Sequence, residues 1–253
     1  LSVTADIVKY DFGYEIDPVW EAGNKNIPGI YIEFKEPWLN PKGFEQIVYD
    51  VLANTQDMNI IEKPEPEDTP FYINNGTINV GNTNGKVILQ TFSLESLVRV
   101  AEVFQGKVPM CFLLWKGTGA TDLTYDDPLG YASFINLGVK YKAHFIGPCI
   151  AGAPNDYPEL DQPWQDYLIH RAKMKNHPYT FDTYDQMAKY FGQYNFGVAD
   201  GMFNPPYLDA LFTNHSDMSI NYMITHGWRK SPASQTLVDA REVLRKLGYL
   251  DNN

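Results

Sequence analysis

Near the N-terminus, the run Gly29-Ile30-Tyr31-Ile32-Glu33-Phe34-Lys35-Glu36-Pro37-Trp38 sets an acid and a base two residues apart among β-branched and aromatic side chains. Alternate residues of a strand face the same way, so Tyr31, Glu33 and Lys35 share one face. A buried strand face rejects unpaired charge, because desolvating it is costly. Opposite charges at the end of a strand, just ahead of a Pro-Trp loop, therefore predict a polar site at the rim of a sheet. A salt-bridged edge strand is the other reading of the same residues.

The remaining chemistry-bearing residues are sparse. The five histidines are His144, His170, His177, His215 and His226, and none has the spacing of a metal-binding pair. A structural or exposed role is expected for each. Cys111 and Cys149 lie in separate apolar runs, as buried thiols or as one disulfide between neighbouring strands. Five tryptophans, Trp20, Trp38, Trp115, Trp164 and Trp228, would suit sugar stacking, but no paired acids accompany them.

Elements able to position these groups follow a regular order. Short apolar runs at 29–35, 86–92, 108–115, 143–150, 178–181 and 209–214 read as strands. Helices are expected between them at 41–53, 94–104, 130–137, 163–175 and 184–191, and after them at 235–247. In the second helix Leu94, Leu97, Val98, Ala101 and Phe104 recur at helical spacing behind Ser93, a suitable N-cap. The last places Leu237, Ala240, Leu244 and Leu247 on one face and stops at Gly248. Strands separated by helices imply parallel βαβ units in one α/β domain spanning residues 1–253. The polar, turn-rich stretch at about 55–85 reads as a loop or small hairpin inserted into that pattern.

Composition narrows the partners. The 253 residues suffice for one sizeable domain, with 44% hydrophobic and 20% charged side chains. A net charge of −11 opposes binding to nucleic acid or anionic membranes, which requires neutralising phosphates with Lys and Arg. No apolar run reaches the roughly 18 residues of a transmembrane helix. The chain opens on Leu1 without a signal-peptide pattern, as in a processed or partial product. Two glycosylation sequons, at Asn75 and Asn214, suit a secreted glycoprotein.

Five segments in order give the chain a family resemblance. PGIYIEFKEPWLNPKGFEQIVYDVL at 28–52, VILQTFSLESLVRV at 87–100, FIGPCI at 145–150, HPYTF at 177–181 and LFTNHSD at 211–217 resemble the glycerophosphodiester phosphodiesterases, particularly the longer periplasmic and secreted type. The resemblance implies a TIM-type (β/α) barrel and hydrolysis of glycerophosphodiesters to glycerol 3-phosphate and an alcohol. It also implies a divalent cation, calcium or magnesium, bound through Glu33. Lys35 and Gln90 would then lie at the substrate phosphate, with Tyr179 and Phe181 along the glycerol pocket. For Gln90 the plain alternative is a solvated strand end, and for the two aromatics it is barrel core.

The departures are as specific. The family's two catalytic histidines and its Glu-x-Asp metal pair lie on the first two strands, and residues 1–28 contain no histidine. Glu15-Ile16-Asp17 lacks the surrounding strand and following histidine, so no catalytic residue is identified in this chain. Asn214 and Asp182 stand where the family usually has Asp and Arg. The resemblance thus covers strands three to eight, and a companion chain or segment is expected to carry the first two. The alternative is a non-catalytic secreted relative, serving in binding, storage or structure. His215, just past the last strand, lies at the end of a barrel where active sites form.

Overall fold

The computed structural model describes residues 30–54, 72–74, 77–79, 87–115, 124–194, 208–226, 245 and 250. Its order is β1 (Ile30–Glu33), α1 (Phe44–Asn54), β2 (Tyr72–Asn74), β3 (Thr77–Asn79), β4 (Val87–Thr91), α2 (Leu94–Phe104), β5 (Met110–Leu114), α3 (Pro128–Lys140), β6 (Phe145–Pro148), α4 (Pro163–Arg171), β7 (Lys175–Asn176), α5 (Tyr184–Met187) and α6 (Ser216–Thr225). A π-helical turn, Ala188–Gln193, continues α5. Five strands form one parallel sheet in the order β1-β4-β5-β6-β7, so each βαβ step adds a strand to the same edge. The protein is α/β, and β2 and β3 pair antiparallel as a separate hairpin within the inserted segment.

The helices form where local rules and burial agree. Ser93 accepts a hydrogen bond from the Ser96 amide, and Leu97, Val100 and Phe104 bury one face of α2. Asp127 caps α3 in the same way, and Pro128 occupies its first turn. Between helices and sheet, the outward strand residues Phe34, Leu89, Phe112 and Ile146 form the main core with Leu97, Phe104, Phe134 and Ile169.

The other face of the sheet is concave. Cys111, Leu113 and Phe145 pack there with Tyr31, Ile88, Phe92, Tyr179 and Phe212. In a flat sheet, β1 and a sixth strand would lie roughly 24 Å apart at the usual strand spacing. Instead the rings of Tyr31 and Phe212 meet edge to face at 4.8 Å. Gly147 faces this crowded interior: a Cβ there would come within 2.7 Å of Leu113 Cδ2 and 2.9 Å of Cys111 Sγ.

The last two expected strands require correction. The regular seventh strand is Lys175–Asn176, and the 178–181 run retains only the Cys149–Tyr179 bridge. Segment 209–214 is not a strand, although its backbone follows the same edge. Asp209 and Ala210 donate to Asn176 O, Phe212 donates to Pro178 O, and Phe181 donates to Phe212 O. Pro178 has no N–H, which removes a donor from any ladder there. Helix α6 was not expected, and the expected helix at 235–247 lies outside the described residues apart from position 245.

Candidate functional site

At the carboxyl end of the first two adjacent strands, β1 and β4, the register sets Glu33 beside Gln90. Glu33 Oε1 lies 2.8 Å from Lys35 Nζ, with the carboxylate side chain 20% exposed and the lysine 73% exposed. The contact is an ion pair without directed hydrogen-bond geometry. Gln90 Oε1 is buried and, among the described residues, accepts no hydrogen bond. Most buried polar atoms have a partner, so an unused acceptor on the strand neighbour of the ion-paired Glu33 marks a place where a ligand can complete the bonding. Beneath this pair the backbone is secured: Phe34 N–H donates to Gln90 O, and Thr91 Oγ1 donates to Phe34 O at 2.9 Å.

The two aromatic candidates separate. Tyr179 is half-buried, donates its hydroxyl to Leu114 O at 3.0 Å, and meets Phe92 and Tyr157 edge to face at 5.6 and 5.9 Å. Phe181 is fully buried in a different cluster with Ile150, Tyr190 and Phe191. The fold therefore gathers Glu33, Lys35 and Gln90, keeps Tyr179 on the concave face, and sends Phe181 into core. Phe92 and Tyr157 were missed in the sequence. Phe92 was legible as the next same-face residue after Gln90, whereas Tyr157 sits in a loop without periodicity.

The residues that depart from the family pattern meet each other. Asp182 accepts hydrogen bonds from Asn214 N and Nδ2, both at 2.9 Å. Asn214 is exposed, and Asn75 lies outside the described residues. His215 is exposed beside this pair, its amide donating to Thr213 Oγ1. The other histidines are structural in geometry. His144 is buried and accepts from Met110 N–H at 3.0 Å; burial lowers its pKa to about 3. His177 stacks on Phe145 at 4.1 Å and meets the Tyr31 hydroxyl at 3.0 Å, with burial lowering its pKa to about 4. His226 stacks on Tyr222 at 4.0 Å. Cys111 and Cys149 are free and buried, and burial pushes both thiols up to about 12, so neither is a ready nucleophile.

At the opposite end of the strands lies a charge network that the sequence did not reveal. Asn176 Nδ2 donates to Asp161 and Asp166, each at 2.8 Å, and both carboxylates are buried. His170 bridges Asp166 at 3.1 Å and Asp209 at 2.8 Å, and Lys175 reaches Asp209 at 3.1 Å. Burial opposes the charge on His170, but the two carboxylates prevail and raise its pKa to about 10. Only Asp166 and His170, four apart on one helix, form a pair visible in the sequence.

As a calcium or magnesium site, Glu33 and Gln90 fall short. They offer one carboxylate and one amide oxygen against the six oxygens or more of such sites, and the carboxylate already faces an ammonium. Among the described residues, no three His, Cys, Asp or Glu side chains gather as a metal group. No described helix is long and apolar enough to cross a membrane. The chain matches no protein-family model and no curated protein.

Proposed function

We propose that this chain supplies the phosphate-binding wall of a glycerophosphodiester phosphodiesterase, forming strands three to seven of a TIM-type barrel with segment 209–214 along the next edge. One observation carries this reading: Glu33, Lys35 and Gln90 converge at the carboxyl end of two adjacent parallel strands. There an exposed ammonium pairs with Glu33, whose strand neighbour Gln90 holds an unused buried acceptor. Lys35 turns from Glu33 to a phosphodiester oxygen, a charge-assisted contact. Gln90 Oε1 accepts from a substrate hydroxyl, and Tyr179 flanks the alcohol portion with Phe92 and Tyr157. The reaction is hydrolysis to glycerol 3-phosphate and an alcohol. Its proton-transfer groups come from a companion chain or segment carrying the first two strands. The curl of the sheet and its parallel order support the barrel; β1 pairs with β4 on one side and, among the described residues, with no strand on the other.

The test is binding of a soluble glycerophosphodiester by calorimetry with Lys35→Ala, together with turnover by the full-length natural protein carrying Glu33→Gln. Loss of affinity in the first and of activity in the second is expected. Retained affinity and activity in both would refute the site. A second reading, a non-catalytic secreted relative, is favoured by the Asp182–Asn214 pair, which occupies two positions where the family pattern differs. N-terminal sequencing and intact mass of the native protein, with a turnover assay, separate the two: a companion segment and turnover support the enzyme, and their absence supports the relative.

A further inference from the structure

We propose that the end of the sheet bearing Glu33 and Lys35 docks on a zwitterionic phospholipid surface, with Trp38 and Leu39 as the inserted tip. The inference rests on the function proposed above only in placing a phosphate-binding wall at the centre of that end. Trp38 and Leu39 are 70% and 72% exposed in the loop that follows β1. Ten large hydrophobic side chains are exposed among the described residues, and six of them, Trp38, Leu39, Trp115, Leu129, Tyr157 and Tyr184, lie at this end. Trp115 directly follows β5 and Tyr157 lies in the loop after β6; Leu129 and Tyr184 open α3 and α5. In a parallel α/β layer, helices begin where strands end, so these positions share one side of the molecule.

The tip is built rather than loose. Leu39 N–H donates to Glu36 O at 3.0 Å, Asn40 N–H donates to Pro37 O at 3.2 Å, and Pro37 is buried. From below, the Arg99 guanidinium donates to Pro37 O at 3.0 Å and Pro41 O at 3.1 Å while pairing with Glu45 at 3.0 Å. A loop fixed in this way loses little freedom on docking. Holding a tryptophan and a leucine out in water on a braced turn costs solvation that insertion into a lipid interface recovers.

Charge selects the occupant. The whole chain carries −11, which repels a second copy and an anionic bilayer. The tip itself is different: Lys35 and Lys42 flank Trp38 and Leu39, with Glu36 the acid between them. A neutral, zwitterionic surface fits this combination, with Trp38 at the headgroup level and Lys42 at lipid phosphates.

The experiment is co-sedimentation of the chain with sucrose-loaded phosphatidylcholine vesicles, compared with vesicles containing phosphatidylserine. The parent chain is expected to partition onto phosphatidylcholine, with no gain from phosphatidylserine. W38A/L39A should lower the partition coefficient at least about tenfold, since each large apolar side chain moved out of water contributes a factor of ten or more. Its melting temperature should be unchanged. Four results would overturn the proposal: no partition at millimolar lipid, equal partition by the double variant, preference for phosphatidylserine, or self-association abolished by W38A/L39A. Lys35→Ala keeps the two claims apart, because it should weaken a soluble glycerophosphodiester while leaving vesicle binding intact.

Discussion

Two charged clusters occupy opposite ends of the same strands and behave differently. At the start of β7, Asp166, His170, Lys175 and Asp209 form a chain of ion pairs, and Asn176 donates to Asp161 and Asp166 while its own Oδ1 accepts no hydrogen bond among the described residues. At the end of β1, the exposed Lys35 ammonium covers a largely buried Glu33 carboxylate, and Gln90, the strand neighbour of Glu33, has an unused acceptor. The first cluster carries shifted pKa values, yet the geometry gives it a structural task of tying α4 to β7 and to segment 209–212. Shifted titration marks burial and charge crowding, and these occur in scaffolds as well as in sites. Each cluster holds a buried unused acceptor, Asn176 Oδ1 in the first and Gln90 Oε1 in the second, so the exposed Lys35 ammonium at the strand ends is what sets the second apart.

Breaking each cluster should expose the contrast. Asp166→Ala strips His170 and Asn176 of a buried carboxylate and is expected to cost about 3–5 kcal/mol in urea denaturation, as for a broken buried ion pair. A cost as small as that of an exposed pair would erase the distinction. Gly147→Ala probes the floor between the two ends. Its methyl has to displace Leu113 or Cys111 in the concave interior, for a loss of about 1–3 kcal/mol.

The pH dependence of the melting temperature sharpens the comparison through sign. His170 titrates at about 10 when folded and near 6.5 when unfolded. Its contribution is complete below 6.5 and is lost as pH rises towards and through 10. His144 and His177 act oppositely: their folded values of about 3 and 4 mean that stability present above 6.5 is lost as pH falls towards those values. His170→Gln should therefore flatten the alkaline side of the profile and leave the acid limb in place. The smallest effect on stability is expected for Lys35→Ala, below about 1 kcal/mol because the lysine itself is solvated. The same variant should lower affinity for a glycerophosphodiester about tenfold or more, as removal of a charged hydrogen-bond donor does.

Legibility followed the range of the interactions. Helix α2 matched its expected bounds, since Ser93 and the i, i+3, i+4 apolar residues act within a few positions of one another. Strands β4 and β5 were visible as β-branched and apolar runs. Beyond Asn176 the chain follows the sheet edge without a regular ladder, around Pro178, and periodicity gave no warning of it. Tyr179 and Phe181 have the same alternation and similar chemistry, yet one lies on the concave face and the other enters a separate core. The polar network joins Asp161 to Asp209 across 48 positions, a separation no motif spans.

The amino-acid sequence by itself determined the α/β order, the capped helices and the placing of an acid and a base on one strand face, because alternation and capping are short-range. Tertiary structure alone decided the rest: the curl that brings Tyr31 to Phe212, the free state of both cysteines, the mutual engagement of Asp182 and Asn214, and the unused oxygen of Gln90. Burial and hydrogen-bond satisfaction are set by neighbours in space, and for these residues those neighbours lie tens of positions away along the chain.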